Sequence, residues 1–330
     1  MTAPSVTVLI ATYNRAFHLV ECLQALAVQQ FGPDDEVVIV DNASTDDTRV
    51  VVQQAAAWFP IPLQYLFEPM PGKSHALALG LRCSTGDVIA LTDDDVLVAA
   101  DWMEGIRTAM SDASLALVAG RVEPRWEMAP PSWLHFDDGA GYSKLASPLA
   151  LVDYGDEPSL LDDRAALGAN MAVRRQALDA VGGFPTSLGK LRGTLLSGED
   201  RYVCERLREI GCRCLYLPGI VVHHWVPRER LRLGYFARWF FWSGITNSAL
   251  EGVAPPAPRR RRSLLGIPVY LIRQAAAATA GILAALVSGR PARAVEHGAD
   301  VAFALGFIAH RWHASIMRVG LRAPAGPQPT

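Results

Sequence analysis

The sequence lacks the features of a secreted, disulfide-stapled protein. Its five cysteines are an odd number without regular spacing, which argues against a disulfide framework and for a reducing compartment. The N-terminus has no basic segment, and its first apolar run, Val6–Ala11, is too short for the core of a signal peptide. We therefore expect a cytoplasmic protein.

Long hydrophobic runs are missing as well. The longest uncharged apolar segment, Ala275–Val287, falls short of the roughly 20 residues that a membrane-spanning helix needs. Arg273 and Arg290 bracket this segment. We expect a peripheral helix or helical hairpin here rather than a true span.

Lysine is absent from the last third of the chain. From Trp225 onward there are fourteen arginines, no lysine and four acidic residues, so this part carries +10 and the remainder −12. Aromatic residues recur there at helical spacing, and Arg259–Arg262 adds a run of positive charge. This pattern predicts contact with an anionic membrane surface. The alternative is a helix packed on the rest of the protein.

The first half alternates strand-like and helix-like segments, an order typical of a mainly parallel, doubly wound α/β sheet. The predicted strands are Val6–Ala11, Glu36–Val40, Leu63–Phe67 and Asp87–Leu91. Ligands of such sheets bind beyond the carboxyl ends of the strands. We therefore expect Thr12–Arg15, Asp41 and Asp93–Asp95 to be neighbours in space.

The three adjacent carboxylates Asp93, Asp94 and Asp95 repel one another, and clustering them is costly without a cation. Hard oxygen ligands of this kind suit Mg²⁺ or Mn²⁺, which also bridge diphosphates. A solvated acidic turn is the alternative interpretation.

Three other positions carry candidate chemistry, each with a structural alternative. Asp41 can accept a hydrogen bond from a base or a ribose, or simply cap a helix. Glu199 and Asp200 open a helix, where the dipole stabilises carboxylates and where one of them could abstract a proton from an alcohol. The rings of His223 and His224 should point to opposite faces of a strand, so one can reach a metal while the other packs.

The order of these motifs resembles that of the family-two glycosyltransferases with the GT-A fold, over about residues 5–250. The matching segments are Val8–Arg15, Val38–Asp46, Gly72 with Ala76, Leu77 and Gly80, Asp93 with Asp95, Gly168–Asn170, Gly198–Asp200, and a histidine before Val226-Pro227-x-Glu229-Arg230.

The resemblance implies a role for each matching residue. Thr12 and Asp41 would hold the nucleotide base, with Tyr13 and Arg15 lining the same pocket. Asp93 and Asp94 would contact the nucleotide-sugar, and Asn170 the donor sugar or the acceptor. Asp95 would be the principal ligand of Mg²⁺ or Mn²⁺, helped by Asp93 and His224. Asp200 would be the general base, oriented by Glu199.

Two departures from the family pattern stand out. The helix after Gly72 carries Ala78 where an asparagine is usual, and we expect Lys73 to compensate for it in contacts with the donor. Processive relatives carry Gln-x-x-Arg-Trp, whereas this chain has Tyr235 in place of the glutamine. We expect a single sugar transfer rather than polymer synthesis.

These observations predict a GT-A catalytic domain over 1–225, with a nucleotide-binding half at 1–120 and an acceptor half at 121–225. The region 226–330 would be a helical, basic and aromatic tail at the membrane. The resemblance implies an inverting transfer of a sugar, a hexose first of all, from a nucleoside diphosphate, UDP first, to a glycan or lipid-linked acceptor of the cell envelope or an exopolysaccharide. No nucleic acid partner is expected.

Two other functions stay open at this point. A nucleotidyltransferase shares a nucleotide-binding α/β body, but it generally needs a glycine-rich basic loop near the N-terminus, and Thr12–Arg15 has no glycine. A catalytically inactive nucleotide-sugar-binding protein is disfavoured because each expected carboxylate is present.

Overall fold

The computed structural model describes residues 3–137, 139–253, 263–264 and 266–320. The chain divides into two compact units, Met1–Arg232 and Leu233–Thr330. The arginine run 259–262 lies outside the described residues.

The strands of the first unit are β1 (Val6–Thr12), β2 (Glu36–Asp41), β3 (Leu63–Phe67), β4 (Val88–Thr92), β5 (Val96–Val98), β6 (Leu115–Trp126), β7 (Ser159–Leu160), β8 (Asn170–Arg174) and β9 (Arg213–Val226). Its helices are α1 (Ala16–Ala27), α2 (Thr48–Ala55), α3 (Lys73–Cys83), α4 (Trp102–Met110), α5 (Arg175–Ala180) and α6 (Glu199–Glu209), with 3₁₀ turns at Lys144–Leu149 and Arg228–Leu231.

All nine strands of this unit form one sheet in the order β3-β2-β1-β4-β8-β6-β9-β5, with β7 paired to β9. The four strands β3, β2, β1 and β4 are parallel, whereas β8 runs antiparallel to both β4 and β6. The apolar cores of β1, β2 and β4 are buried on both faces, as expected of strands covered by helices. The predicted α/β class is confirmed, with a sheet that is parallel in its first half and mixed in its second.

Strand β9 continues to Val226 through Pro218 and Gly219, residue types that commonly end strands, with only a register shift against β6. The predicted acceptor half, 121–225, begins with the second half of β6. Proline is tolerated in β9 because the ladder is already interrupted at the shift.

The described residues of the second unit form three helices, α7 (Leu233–Val253), α8 (Val269–Val287) and α9 (Pro291–Gly320), and a short pair of strands, β10 (Ser263–Leu264) and β11 (Ile267–Pro268). Helices α7 and α9 approach each other backbone to backbone. A Cβ atom on Gly244 would collide with the carbonyl oxygen of Phe303, and one on Gly306 with that of Phe241. Glycine at both contacts is what permits so close a crossing.

Helix α8 begins at Val269, well before the apolar run predicted from the sequence, and it includes Arg273. Within the described ranges it is the single helix long and apolar enough to cross a membrane, by length and composition alone. Only 17% of its apolar window is buried. The helix is thus longer than the uncharged run Ala275–Val287, and the expectation of a peripheral helix in place of a span stays a prediction.

Gly120 lies at the shift between β6 and β9, where the two strands leave no room for a side chain. An added Cβ would collide with the carbonyl oxygen of Ile220 and with the side-chain nitrogen of Asn170. The glycine therefore allows the second half of the sheet to close.

We predict that Gly120→Ala lowers the free energy of unfolding by about 1–3 kcal/mol, because the methyl group overpacks the junction between β6 and β9. Urea denaturation followed by circular dichroism measures the change. Gly219→Ala is the matched control, since a Cβ there meets no atom within 4 Å. Equal stability of the two variants would contradict this reading of the junction.

Candidate active site

The strand ends meet as the sequence predicts. Thr12 pairs with Asp41 in the register of β1 and β2, and Leu9 pairs with Leu91 in that of β1 and β4. This register places Thr12 beside the residues that follow β4, and its hydroxyl donates to Asp94 Oδ2 at 2.7 Å. The polar edge of the sheet is thus a single cluster.

Asp95 is buried between a cation and an imidazole. Its Oδ2 accepts a hydrogen bond from Arg15 Nη1 at 2.7 Å, and its Oδ1 lies 3.5 Å from His224 Nε2. Burial alone would raise the pKa of Asp95, but His224, Arg15 and Arg230 outweigh it and hold that pKa well below its usual range. The carboxylate is therefore ionised at neutral pH.

His224 is the buried member of the histidine pair, as the alternation along a strand predicts. It is 2% exposed, whereas the His223 side chain is 43% exposed and faces Glu123 on the other side of β9. Burial lowers the pKa of His224 to about 4, so its ring is uncharged at neutral pH. Its Nε2 also lies 3.4 Å from Arg230 Nη1.

Asp93 and Asp94 sit in different environments. Asp93 Oδ1 accepts from Lys73 Nζ at 2.5 Å, and this lysine outweighs the effect of burial and lowers the pKa of Asp93. Asp94 has no lysine at that distance, and burial together with the charge of Asp95 raises the pKa of Asp94 to about 7. At neutral pH Asp93 and Asp95 are therefore ionised, whereas Asp94 is partly protonated.

The Asp95 and His224 pair fits a divalent cation. An ionised oxygen and an uncharged imidazole nitrogen face each other across 3.5 Å, close to the separation of two ligands on one ion. Among the described residues no group of three or more histidine, cysteine or acidic side chains could hold a metal alone. A Mg²⁺ or Mn²⁺ ion held by one or two carboxylates and substrate phosphates matches such a set. Asp93, also predicted as a metal ligand, is paired with Lys73.

Asp41 is anchored more firmly than the sequence indicates. It is 2% exposed, its Oδ1 accepts from the amide of Ser44 at 2.8 Å, and its Oδ2 accepts from the hydroxyl of Tyr65 at 2.8 Å. The neighbouring Asn42 bonds the carbonyl of Met70 and the amide of Gly72. Contact of Asp41 with a nucleotide base stays a prediction.

Glu199 and Asp200 open α6 directly after Gly198, whose φ of 105° lies in the left-handed region that favours glycine. Asp200 Oδ2 accepts from the amide of Gly168 at 3.1 Å, and its Oδ1 accepts from the amide of Arg201 at 2.7 Å. A Cβ on Gly168 would lie 3.7 Å from Lys73 Nζ, so the residue whose amide bonds Asp200 also lies close to Lys73.

Glu199 is 6% exposed, and its Oε2 has no hydrogen-bond partner within the described part of the chain. Burial and the charge of Asp200 raise the pKa of Glu199 to about 7. Of this carboxylate pair, Asp200 is the member that accepts hydrogen bonds from two backbone amides. Glu199 is the member that is partly protonated at neutral pH.

Asn170 takes a structural position instead of the predicted contact with the donor sugar or acceptor. It is 1% exposed, donates to the carbonyls of Arg121 and Ile220 at 2.8 Å each, and accepts from Trp102 Nε1 at 2.9 Å. The side-chain amide of Asn170 thus links β8, where it lies, to β6, β9 and α4 at the sheet junction. Its donors and its acceptor are occupied by these bonds.

A cavity of about 530 Å³ opens over this edge of the sheet. Seven of the predicted residues line it: Thr12, Tyr13, Arg15, Lys73, Asp93, Asp94 and Asp95. Its other wall is the segment Lys190–Thr194, which the sequence analysis did not assign. The pair of glycines around Lys190 and Arg192 was the available signal, but basic residues in a loop point to no single role.

Comparison with known proteins identifies the first unit. Residues 7–154 match the model of glycosyl transferase family 2. This stretch is a family-two glycosyltransferase domain. The predicted family and enzyme class are confirmed, and the nucleotidyltransferase alternative is set aside.

Curated glycosyltransferases align with most of the chain. A glucosyl-dolichyl phosphate glucuronosyltransferase of Haloferax volcanii is 24% identical, over 79% of this chain and 82% of the relative. The succinoglycan biosynthesis protein ExoM of Rhizobium meliloti is 28% identical, over 73% of each chain.

Among solved structures, the mannosyltransferase PcManGT of Pyrobaculum calidifontis, in complex with GDP-Man and Mn²⁺, matches with a TM-score of 0.58. It is 22% identical and covers 97% of this chain and 80% of its own. This likeness supports the GT-A fold of the glycosyltransferase.

Proposed function

We propose that the protein is an inverting glycosyltransferase that moves one sugar from a nucleoside diphosphate, UDP first of all, to an acceptor hydroxyl. The observation that carries the proposal is that Lys73 lies close to the groups around both sets of carboxylates. Its Nζ is 2.5 Å from Asp93 Oδ1, and a Cβ on Gly168, whose amide donates to Asp200, would lie 3.7 Å from the same nitrogen.

In this scheme Asp200 takes the proton of the acceptor hydroxyl while that oxygen attacks the anomeric carbon. The bond between the anomeric carbon and the diphosphate oxygen breaks as the new bond forms, so the configuration inverts. Two backbone amides donate to the Asp200 carboxylate and orient it. Because the displacement is direct, no covalent enzyme intermediate is needed. Burial and the charge of Asp200 raise the pKa of Glu199 to about 7, so its negative charge beside Asp200 is reduced at neutral pH.

The donor would lie in the cavity of about 530 Å³, with Thr12, Tyr13 and Arg15 of its lining around the nucleotide base and Lys73 near the diphosphate. Asp41, which the family resemblance also assigns to the base, precedes the lining residue Asn42. Asp95 and His224, with Asp93 nearby, would hold Mg²⁺ or Mn²⁺. The bound cation supplies neutralisation of the diphosphate charge. The solved mannosyltransferase with GDP-Man and Mn²⁺ supports this class of donor and metal.

For the acceptor, the named relatives support a glycan or a lipid-linked sugar. One is a succinoglycan biosynthesis protein and another acts on a glucosyl-dolichyl phosphate, by their names. We place this chain in cell-envelope or exopolysaccharide assembly, with residues 121–225 as the acceptor half of the catalytic domain.

Asp200→Asn should lower the rate of sugar transfer about 10²- to 10⁴-fold while nucleotide affinity stays within about twofold, because only the proton acceptor is lost. Screening UDP-sugars against lipid-linked acceptors, with NMR of the product linkage, measures both rate and anomeric configuration. Asp179→Asn, an exposed aspartate on α5, is the control. A retained configuration, or full activity in the Asp200 variant, would contradict the scheme.

The second unit supports attachment to the cytoplasmic face of a membrane. Helix α8 turns Leu271, Ala278 and Ala285 inward, yet it leaves large apolar side chains exposed elsewhere. Leu283, Leu286 and Val287 are 64%, 60% and 92% exposed. Arg273 on this helix, and Arg290 and Arg293 just beyond its end, are exposed. Their charge suits an anionic lipid layer, and exposed apolar side chains with nearby arginines are typical of an interfacial helix.

Replacing Leu286 and Val287 together by glutamate should weaken binding of the full chain to vesicles of phosphatidylcholine and phosphatidylglycerol at least tenfold. Burying such side chains contributes about 1.5–3 kcal/mol each, and the new charges oppose insertion. Co-sedimentation at low salt measures binding. The matched control replaces Val28 and Val50, which are both exposed on the first unit, by glutamate. A wild-type protein that ignores these vesicles would contradict membrane attachment.

A further inference from the structure

Arg192 lies where the nucleotide base of the donor would bind in the proposed site. It belongs to the segment Lys190–Thr194, which forms one wall of the cavity. Gly189 and Gly193, with φ angles of 92° and 78°, flank the residues Lys190–Arg192 in the left-handed conformation that glycine adopts without strain. The segment is thus a short loop with a glycine at each end.

Each described contact of Arg192 is to an uncharged group. Its guanidinium carbon lies 4.2 Å from the centre of the Tyr13 ring, and its Nη2 donates to the carbonyls of Asn42 at 3.1 Å and Ala43 at 3.2 Å. No carboxylate forms an ion pair with Arg192 in the part of the chain that the structure describes. Arg192 is exposed, so solvent hydrates its charge, and its contacts within the protein are one ring face and two carbonyl oxygens.

These contacts copy the ones that a nucleotide base makes. A guanidinium is planar, stacks on an aromatic face and offers N–H donors along its edge. A pyrimidine base such as uracil is also planar and carries an N–H donor at its edge. Tyr13 and Asn42 line the same cavity as Arg192, so the base and the guanidinium compete for one place.

We propose that Arg192 is a place-holder and a specificity-determining residue, which occupies the base subsite until a donor binds. The donor base then displaces the guanidinium from the Tyr13 ring and the two carbonyls, and the guanidinium binds the donor phosphates instead. The proposal rests on the proposed function, because it takes Tyr13 to be the base platform. The exchange is favourable only when the incoming ligand carries phosphate, since a nucleoside would displace the guanidinium and offer it no anion.

Every ligand that fills the base subsite must break the contacts of Arg192 with Tyr13 and the two carbonyls. Only a phosphorylated ligand offers the guanidinium a new anionic partner. Lys73 is already committed to Asp93, so a displaced Arg192 adds a cation that the diphosphate can use. The arrangement therefore discriminates against free nucleosides, and it does so without any contact that reads the sugar.

The test compares uridine and UDP, each with Mn²⁺, on the full-length protein and on Arg192→Ala by isothermal titration calorimetry. We expect uridine to bind about 3- to 20-fold tighter to the variant, because the stacked cation no longer has to be displaced. UDP should bind at least threefold weaker, because a phosphate partner is lost. Guanosine with GDP, or thymidine with dTDP, replaces this pair if the wild type prefers them.

Arg82→Ala, an exposed arginine at the end of α3, is the control and should change neither affinity. Unchanged or weaker uridine binding by Arg192→Ala would overturn the place-holder, because the arginine would then support the base. Equal tightening of uridine and UDP would overturn the exchange with phosphate. Failure of the wild type to bind any nucleoside diphosphate with Mn²⁺ would instead contradict the proposed function, and the exchange with it.

Discussion

Three adjacent carboxylates at the end of β4 need positive charge around them, and much of the first unit is arranged to supply it. Arg15 comes from the turn after β1, Lys73 from the start of α3, and Arg230 from the turn after β9. Each of these cations is brought to the cluster by the carboxyl end of a strand or the start of a helix. The parallel half of the sheet makes this possible, because its strand ends share one edge.

The same charge balance explains the division of labour in the site. Asp93 and Asp95 have cations at 2.5 Å and 2.7 Å, and their pKa values are lowered. Asp94 and Glu199 have none so close, and burial raises the pKa of each to about 7. A diphosphate with its cation entering this cavity would meet fixed charges of both signs at the carboxylate cluster, which would orient it without reorganisation of that cluster.

Sequence reasoning was most successful where residue type and strand position together fix the geometry. Asp95 follows β4 and meets His224, which lies on the buried face of β9. Alternation along the strand predicted that one histidine of the pair is buried, and the family resemblance selected His224. It was least successful for Asn170, whose motif position suggested a ligand contact although its amide holds β6 and β9 together. The passage of β9 through Pro218 and Gly219 depends on a register shift that local propensity does not encode.

The role of Lys190–Thr194 was also beyond the sequence. Its residues lie more than a hundred positions from Tyr13 and Asn42, so only the folded chain shows that Arg192 covers them. For the second unit, composition indicated the membrane, but the exposure of Leu286 and Val287 depends on which face of α8 packs against α9.

The central claim is that the β4 carboxylates and His224 form a cation-dependent diphosphate site. Thermal stability of the purified protein against UDP, dTDP, GDP and ADP, each with and without Mn²⁺, tests it most directly, since ligands of the native state raise the melting temperature. The account predicts a rise for at least one nucleotide that requires Mn²⁺ and disappears in Asp95→Asn. A rise that is independent of Mn²⁺ and persists in Asp95→Asn, or no rise with any nucleotide, would contradict it.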